Sequence, residues 1–459
     1  MTDPLLEPLH AIVGAAGLLT GAELHSRPAG YMRPDTIQAR LLVRPKDTAQ
    51  VAEVLKLCHA AGHHIVAHGG LTGLVHGADT TPDDLVLSLE RMNRIEEIDA
   101  RERIAVVQAG VPLQALQESA ANHDLLFPLD LGARGSATLG GNASTNAGGN
   151  RVIRFGMMRD MVLGLEVVLA DGTVVSSMNR MIKNNAGYDL KHLFIGAEGT
   201  LGVITRLVLR LRERPLSQDV AFVAVDSFAN VVALLKHMDR TLGGGLSAFE
   251  VMWHEFYELV TTTPAKSAAP LPYGHAHYVL VESSGANAEQ DRLRFSSALE
   301  SAHAAGLVTD AVLAQSERER AAIWGMRDDV PQLRRYGTTF TFDVSLPISA
   351  MEAFVAAVRA ALAARWPQHR CWVFGHLGDG NLHVVVHAAD EAESARQEAE
   401  RIVYGALARA GGSISAEHGI GLEKKPYLGL SRSPAEIDLM RALKRTLDPK
   451  NLLNPGKIF

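Results

Sequence analysis

Apolar and polar positions follow two periods along the first half of the chain. Apolar residues recur at helical spacing over 47–61, and Gly62 follows as a stop signal. Short apolar runs bounded by turn residues predict strands, and a second helical pattern begins at Pro112. The predicted strands are 64–67, 85–89, 104–108 and 163–169, and the predicted helices are 47–61 and 112–122. This half therefore predicts a compact α+β unit.

The pattern changes near Pro215, where two similar runs of strands and helices follow. The predicted strands are 220–225, 278–282, 339–346, 371–375 and 382–387, and the predicted helices are 228–238, 290–305, 350–365 and 391–411. Each run is typical of helices layered on an antiparallel sheet, so the fold class is α+β. We expect a helical N-terminal segment (1–40), a first domain (41–214), a second domain (215–440) and a C-terminal tail (441–459).

Composition excludes several classes of protein. The 459 residues are too many for one core, and 47% apolar with 21% charged residues is a globular balance. The net charge of −6 comes without a basic stripe, so we expect no nucleic-acid partner. Two cysteines cannot form a disulfide framework. Asp3 and Glu7 precede the first apolar run, which argues against a secretory signal. We expect a cytoplasmic protein without a transmembrane segment, at most loosely associated with a membrane.

Three glycine-rich segments indicate a large ligand held by backbone. They are 68–74, 135–149 and 196–202. Glycine permits close approach and positive φ, so successive N–H groups can converge on a pyrophosphate. One such segment alone would equally suit a tight turn, and a long one would suit a linker. The stretch Gly243–Ala248 follows a helix instead of a strand, so it fails as a dinucleotide fingerprint and is interpreted as a helix stop. A nicotinamide cofactor is therefore disfavoured.

A second pattern combines imidazoles with a carboxylate. His376 and His383 flank a Gly-Asp-Gly-Asn turn between two apolar strands, and Glu417-His418 lies in a later glycine-rich stretch. Two histidines and one carboxylate form a usual three-ligand catalytic metal set. Since the chain has 19 histidines, a chance pair is the competing interpretation. The nitrogen-rich set favours Zn²⁺, with manganese and iron left open.

With these motifs the chain resembles the vanillyl-alcohol oxidase / p-cresol methylhydroxylase class of FAD enzymes, in the branch of D-lactate and D-2-hydroxyglutarate dehydrogenases. The resemblance runs from about Leu41 onward and implies a two-part FAD-binding domain of the p-cresol methylhydroxylase type, followed by an α+β substrate domain. The implied FAD contacts are His68, Gly69, Gly70, Thr72, Gly73, Ser136, Thr138, Gly140, Gly141, Asn142, Thr145, Asn146, Gly148, Arg151, Glu198, Gly202, Ile204 and Asn454. Leu71 stands where the family usually has Asn. His68 precedes the glycines, so we expect non-covalent FAD.

The resemblance also assigns roles in the second domain. It implies His376, His383 and Glu417 as metal ligands, Asn381 and His418 as substrate-facing groups, and Arg327 as the partner of the substrate carboxylate. A metal that binds the substrate hydroxyl lowers its pKa, and a neutral histidine such as His418 can accept the proton. The alternatives are that His418 only orients Glu417 and that Arg327 is a surface residue.

These roles predict the oxidation of a D-2-hydroxy acid to a 2-oxo acid. The family's D-2-hydroxyglutarate enzymes carry a lysine where Thr341 stands, and Pro331 replaces a polar residue. We therefore expect D-lactate or a larger apolar acid to be preferred. The alternatives are a D-2-hydroxyglutarate dehydrogenase, a catalytically silent flavin subunit of a glycolate oxidase-like complex and a non-redox transferase. The resemblance further implies a quinone, cytochrome or electron-transfer flavoprotein as acceptor, and a homodimer.

Overall fold

The computed structural model describes residues 4–31, 33–389 and 393–459. Its α-helices are α1 (Leu6–Val13), α2 (Gly21–His25), α3 (Thr48–Ala61), α4 (Leu113–Ala121), α5 (Leu139–Thr145), α6 (Val152–Phe155), α7 (Met158–Met161), α8 (Lys191–Phe194), α9 (Phe228–Leu242), α10 (His254–Thr261), α11 (Ala288–Ala304), α12 (Glu317–Arg327), α13 (Ile348–Arg365), α14 (Glu393–Arg409) and α15 (Pro434–Leu447). Short 3-10 segments are Ala15–Gly17, Val330–Tyr336, Leu377–Asp379 and Lys425–Leu430.

The strands are β1 (Leu18–Leu19), β2 (Leu41–Val43), β3 (Ile65–His68), β4 (Leu85–Ser88), β5 (Ile95–Asp99), β6 (Ile104–Gln108), β7 (Leu125–Leu126), β8 (Val162–Val168), β9 (Val174–Ser177), β10 (Val203–Arg210), β11 (Arg212–Glu213), β12 (Ser217–Val225), β13 (Leu246–Trp253), β14 (His277–Gly285), β15 (Asp310–Leu313), β16 (Phe340–Ser345), β17 (Arg370–His376) and β18 (Asn381–His387).

The chain forms two compact units that interleave along the sequence. The first unit runs up to Gly149, resumes over Gly156–Arg214 and ends with Glu417–Phe459, while the second unit comprises Asn150–Phe155 and Pro215–Ala416. One change of unit falls at residue 215, where the sequence analysis also placed a boundary. The next change falls after Ala416, whereas the sequence analysis placed a boundary at residue 440. The N-terminal residues are part of the first unit and form no separate domain.

The first unit contains two main sheets. One has the order β1-β2-β4-β3, with β2, β4 and β3 parallel, and the other is antiparallel with the order β5-β6-β10-β8-β9. α3 shows how local chemistry fixes an element. The Asp47 side chain accepts from the backbone N–H of Gln50, and Gly62 ends the helix in the left-handed conformation. Between these caps its apolar face buries Val51 and Leu55.

The second unit is built on one antiparallel sheet, which within the described residues has seven strands in the order β15-β12-β14-β13-β17-β18-β16. One face carries a core of apolar side chains under α10, α12 and the Val330–Tyr336 turn, in which Phe374 stacks on Phe256 with ring centroids 4.0 Å apart. On the other face, Phe342 contacts Tyr404 of α14. Where β13 pairs with β17, the register places Glu250 directly opposite His376.

Several elements differ from the sequence prediction. β13 was missed because the glycines before it were interpreted only as a helix stop. α5 was missed because its composition of Gly, Asn, Ser and Thr hides a helix. The sequence analysis also missed α12, which ends at Arg327; the Ser316 hydroxyl caps its start by accepting from the N–H of Glu319. The predicted helix start at residue 391 lies outside the described residues.

Candidate functional site

A cavity of about 450 Å³ lies in the first unit. Its wall combines the three glycine-rich segments with residues from several other parts of the same unit. The predicted residues that line it are His68, Gly69, Gly70, Thr72, Gly73, Thr138, Gly140, Gly141, Asn142, Thr145, Gly148, Glu198, Gly202, Ile204 and Asn454. Elements far apart in sequence therefore converge on one concave site, the usual form of a small-molecule site.

Two glycines of the first segment show how closely the backbones approach here. A Cβ atom built on Gly70 would lie 1.9 Å from the carbonyl oxygen of Ser136, and one on Gly69 would lie 2.7 Å from Oγ1 of Thr138. Between them and Thr72, Leu71 adopts a positive φ of 55°, a conformation that Asn tolerates better than Leu. The first two glycine segments therefore pack backbone to backbone, as a cradle for a ligand requires.

The wall of this cavity contains two polar side-chain atoms whose hydrogen-bonding capacity is not used by the described residues. Oγ1 of Thr138 and Nδ2 of Asn142 are buried, and neither has a hydrogen-bond partner among the described residues. Such atoms are costly to bury unless a ligand or water satisfies them. A ligand with many acceptor atoms, such as the diphosphate and ring system of FAD, meets this requirement, so the residues present fit the cofactor.

His68 is buried at the end of β3 and takes part in the wall as a neutral group. Burial lowers its pKa to about 4, since charging the ring would require desolvation. Its Nε2 lies 2.9 Å from the carbonyl oxygen of Ala78. A carbonyl only accepts, so Nε2 carries the proton and donates.

Glu198 joins the third glycine segment to the loop that follows Glu417. Its carboxylate accepts hydrogen bonds from the backbone N–H groups of Ile420 and Gly421, both at 2.8 Å. Burial raises the pKa of Glu198, while these two N–H groups and the charge of Lys424 oppose the rise. Asn454 adds a third tie by donating to the carbonyl of Glu198 at 2.6 Å.

Three residues predicted as FAD contacts serve other roles. Ser136 supplies the backbone against which Gly70 packs, and Asn146 accepts from the backbone N–H of Arg159. Arg151 belongs to the second unit, where its guanidinium donates to both oxygens of Glu282 at 2.9 and 3.0 Å. Two donors of Arg151 thus serve a buried carboxylate, and its contact with FAD stays a prediction.

The second unit brings its own group of functional side chains together. The rings of His376 and His383 lie 5.5 Å apart, on adjacent antiparallel strands. Nδ1 of His376 is 2.7 Å from Oε1 of Glu250, and Nε of Arg327 donates to Oε2 of the same carboxylate at 2.8 Å. Burial alone would raise the pKa of Glu250, but His376 and Arg327 together hold it below its ordinary value.

Asn381 and Asp343 border this group. The amide of Asn381 donates to Oδ1 of Asp343 and to the carbonyl of Val344, both at 2.9 Å. Its Oδ1 is buried, and no described residue donates to it. The second oxygen of Asp343 accepts from the backbone N–H of Ala416 at 3.1 Å. Asn381 thus presents an unsatisfied acceptor, as a substrate-facing group would.

Glu417 and His418 follow Ala416 in the chain and are counted in the first unit, where both line the cavity. There the Glu417 carboxylate packs against Gly148, on which a Cβ atom would lie 2.6 Å from Oε1. Two imidazoles and a carboxylate are a donor set that a divalent metal accepts. Nδ1 of His376 is engaged with Glu250, and Nη2 of Arg327 lies 3.3 Å from Nε2, so Nε2 is the nitrogen that a metal would have to bind.

Sequence reasoning missed Glu250, Glu282 and Asp343, all of which are buried acids in the second unit. An acid inside an otherwise apolar strand is the signal that could have found them, since burial of a charge requires partners. Glu282 illustrates this: besides Arg151, it accepts from Gln218, Ser247 and Trp324.

Comparison with protein families shows to which family the chain belongs. Residues 214–458 match the family described as FAD linked oxidases, C-terminal domain, and residues 39–177 match the family described as FAD binding domain. The chain belongs to the FAD-linked oxidase family. This confirms the expected resemblance and the use of FAD.

Curated members of the family are similar over nearly the full chain. The mitochondrial D-2-hydroxyglutarate dehydrogenase of Bos taurus is 39% identical over 456 residues, which cover 99% of this chain and 83% of that one. The D-2-hydroxyglutarate dehydrogenase of Xanthomonas citri pv. viticola is 40% identical over 466 residues, covering 100% and 98%. This FAD-linked oxidase is therefore an FAD-dependent D-2-hydroxyacid dehydrogenase.

Solved structures show the same fold at low sequence identity. A substrate complex of p-cresol methylhydroxylase gives a TM-score of 0.78 at 17% identity, over 99% of this chain and 96% of that one. An alkyldihydroxyacetonephosphate synthase gives 0.77 at 17% identity, over 100% and 85%. The predicted α+β fold of the p-cresol methylhydroxylase type is confirmed. Among the described residues, no helix is long and apolar enough to cross a bilayer.

Proposed function

We propose that this dehydrogenase oxidises D-lactate or a larger apolar D-2-hydroxy acid to the 2-oxo acid, with the help of a divalent metal. The electrons then leave for an external acceptor such as a quinone, a cytochrome or an electron-transfer flavoprotein. Bound FAD supplies the hydride acceptor that no side chain can provide.

The surroundings of Thr341 are the observation that carries the choice of substrate. In the register of the second unit's sheet, Thr341 pairs with Val385, and Val385 pairs with Trp372. The row that extends beyond His383 is thus a neutral threonine, an aliphatic side chain and an indole. A second carboxylate placed there would meet no cation in this row, whereas a methyl or alkyl group would gain apolar contact.

The residues of the second unit suit recognition of a 2-hydroxy acid. Arg327 offers a planar guanidinium, the group best matched to a carboxylate, and the ring of Phe374 lies 5.2 Å beneath it. Asn381 directs its unsatisfied oxygen as an acceptor for a hydroxyl. His376, His383 and Glu417 would hold the metal, for which Zn²⁺ is our first choice. A metal held there would lower the pKa of the substrate hydroxyl, and His418 would accept the proton.

FAD is proposed to be held without a covalent bond. The His68 imidazole in the cavity wall is engaged with the carbonyl of Ala78 through Nε2 and is buried. Acid precipitation of the purified protein should therefore leave all the yellow colour in the supernatant. Colour that remains with the pellet would contradict this part of the proposal.

The decisive experiment is an anaerobic titration of the purified flavoprotein with D- and L-2-hydroxy acids. We expect D-lactate or a longer apolar D-acid to bleach the flavin absorbance, L-acids to leave it unchanged, and chelation to abolish bleaching until Zn²⁺ is returned. Bleaching that survives complete metal removal would refute metal assistance. A flavin that no acid bleaches, with metal present, would favour the silent-subunit alternative.

D-2-hydroxyglutarate is the second candidate substrate, favoured by the names of the relatives at 39% and 40% identity. The two candidates differ in one measurable ratio. A kcat/KM for D-2-hydroxyglutarate equal to or above that for D-lactate would replace our substrate assignment and leave the reaction class intact.

A further inference from the structure

Glu250 lies between His376, a proposed metal ligand, and Arg327, the proposed partner of the substrate carboxylate. It lies on β13, directly opposite His376 in the register with β17, and only 1% of its surface is exposed. One carboxylate oxygen is engaged with Nδ1 of His376 at 2.7 Å and the other with Nε of Arg327 at 2.8 Å. Both oxygens face protein donors, so Glu250 is placed to act through its neighbours.

The two contacts of His376 define which of its nitrogens carries the proton. A carboxylate can only accept, so Nδ1 must donate to Glu250. On the opposite side, Nη2 of Arg327 lies 3.3 Å from Nε2, and a guanidinium can only donate. Nε2 is therefore the unprotonated nitrogen, and in this structure its lone pair accepts from Nη2 of Arg327, a hydrogen bond that a metal at Nε2 would replace. This is the tautomer that a metal ligand requires.

The same carboxylate fixes the orientation of Arg327. The guanidinium is held at Nε by Glu250 and rests over the ring of Phe374, and the side chain is 7% exposed. An arginine fixed at Nε and by its flat face keeps its terminal nitrogens in one plane. A bidentate partner such as a substrate carboxylate needs that fixed plane.

We infer that Glu250 is a positioning residue that prepares His376 for the metal and Arg327 for the substrate carboxylate at the same time. This inference rests on the function proposed above. It adds that metal affinity and substrate affinity both depend on Glu250, so that a single change at Glu250 weakens both. FAD affinity, which depends on the first unit, stays unchanged.

The test replaces Glu250 with Gln, which keeps the shape of the side chain but offers only one acceptor atom. If that atom serves Arg327, the amide N–H₂ faces Nδ1 of His376 and favours the wrong tautomer. We expect E250Q to bind Zn²⁺ about 10- to 100-fold more weakly than wild type, as measured by competition with a chelator. KM for the D-2-hydroxy acid should also rise, while the flavin spectrum and the FAD affinity match wild type.

Asp219→Asn is the matched control. Asp219 is another buried acid of the second unit, and it pairs with Arg292 at 3.2 Å on β12, the second strand of the sheet. D219N should retain wild-type Zn²⁺ affinity and KM, which would show that neutralising a buried acid is not enough. If D219N and E250Q weaken Zn²⁺ binding equally, the specific role of Glu250 is refuted.

The remaining outcomes are equally informative. If E250Q keeps wild-type Zn²⁺ affinity, or changes Zn²⁺ affinity without changing KM, the claim that both affinities depend on Glu250 is refuted. Wild-type protein that binds no Zn²⁺ would instead overturn the proposed metal assistance. Should E250Q not fold, ¹⁵N-histidine spectra of the wild-type protein decide the matter, with His376→Asn used to assign the signal. A His376 protonated at Nε2 would overturn the inference.

Discussion

Gly70→Ala is the sharpest test of how the FAD cavity is built. The added methyl group would lie 1.9 Å from the Ser136 carbonyl oxygen, 2.7 Å from its carbon and 3.0 Å from Cα of Ala137. All three are backbone atoms, so no side-chain rotation can relieve the contact. Ordinary contact begins near 3.4 Å, and the two glycine segments must therefore separate by about 1.5 Å. Overpacking of this kind costs about 1–3 kcal/mol.

If that strain falls on the cavity wall, FAD affinity decreases roughly 5- to 150-fold, since about 1.4 kcal/mol corresponds to a factor of ten. The assay is titration of the apoprotein with FAD, followed by quenching of flavin fluorescence. Gly429→Ala is the matched control, because Gly429 lies in the first unit with nothing within 4 Å of an added Cβ atom. G70A that binds FAD as tightly as G429A would refute the backbone-to-backbone cradle.

Three further predictions concern the second unit. Thr341→Lys should raise kcat/KM for D-2-hydroxyglutarate relative to D-lactate by roughly 10- to 100-fold, because a charge-assisted hydrogen bond contributes about 1.5–3 kcal/mol. A similar gain in the neutral control T341M would show that the lysine charge is not the cause. Arg151→Met should lower the free energy of urea unfolding by about 3 kcal/mol, since Glu282 loses its charged partner. The Kd for FAD should stay constant. A weaker Kd for FAD at unchanged stability would instead show that Arg151 contacts the cofactor. Burial, with smaller effects from Arg359 and His254, lowers the pKa of His277 from 6.5 to about 4. The folded state thus favours the neutral ring, and stability should fall as pH decreases from 6.5 to about 4. His277→Phe should flatten that decrease in the urea midpoint, and an equally steep decrease in H277F would exclude His277 as its source.

The sequence predicted the elements whose signals are local. The caps Asp47 and Gly62 and the apolar period between them define α3 without help from the rest of the chain. The three glycine segments were also visible, because a run of glycines is unusual inside a domain. Their convergence on one cavity follows from packing that links residues more than 300 positions apart, such as Ala67 and Asn454.

What sequence reasoning missed depends on pairing across the fold. Glu250 stands within an apolar run, and its importance follows only from the register that sets β13 against β17, 126 residues later. Arg151 shows the converse. It follows the second glycine segment by two residues, and the family resemblance implied a contact with FAD, yet the chain passes into the other unit after Gly149. Local motifs carry no information about such a crossing.

Residues Asn150–Phe155 belong to the second unit although they lie between two parts of the first unit, and this affects how the protein folds during synthesis. Arg151 leaves the ribosome more than 100 residues before Glu282, so its guanidinium must wait for a sheet that does not yet exist. The first unit waits as well, because Lys444 and Asn454 complete its bonds to Thr200 and Ala67. Neither unit can therefore be cut out as one continuous fragment, since residues 215–416 alone would bury Glu282 without its arginine.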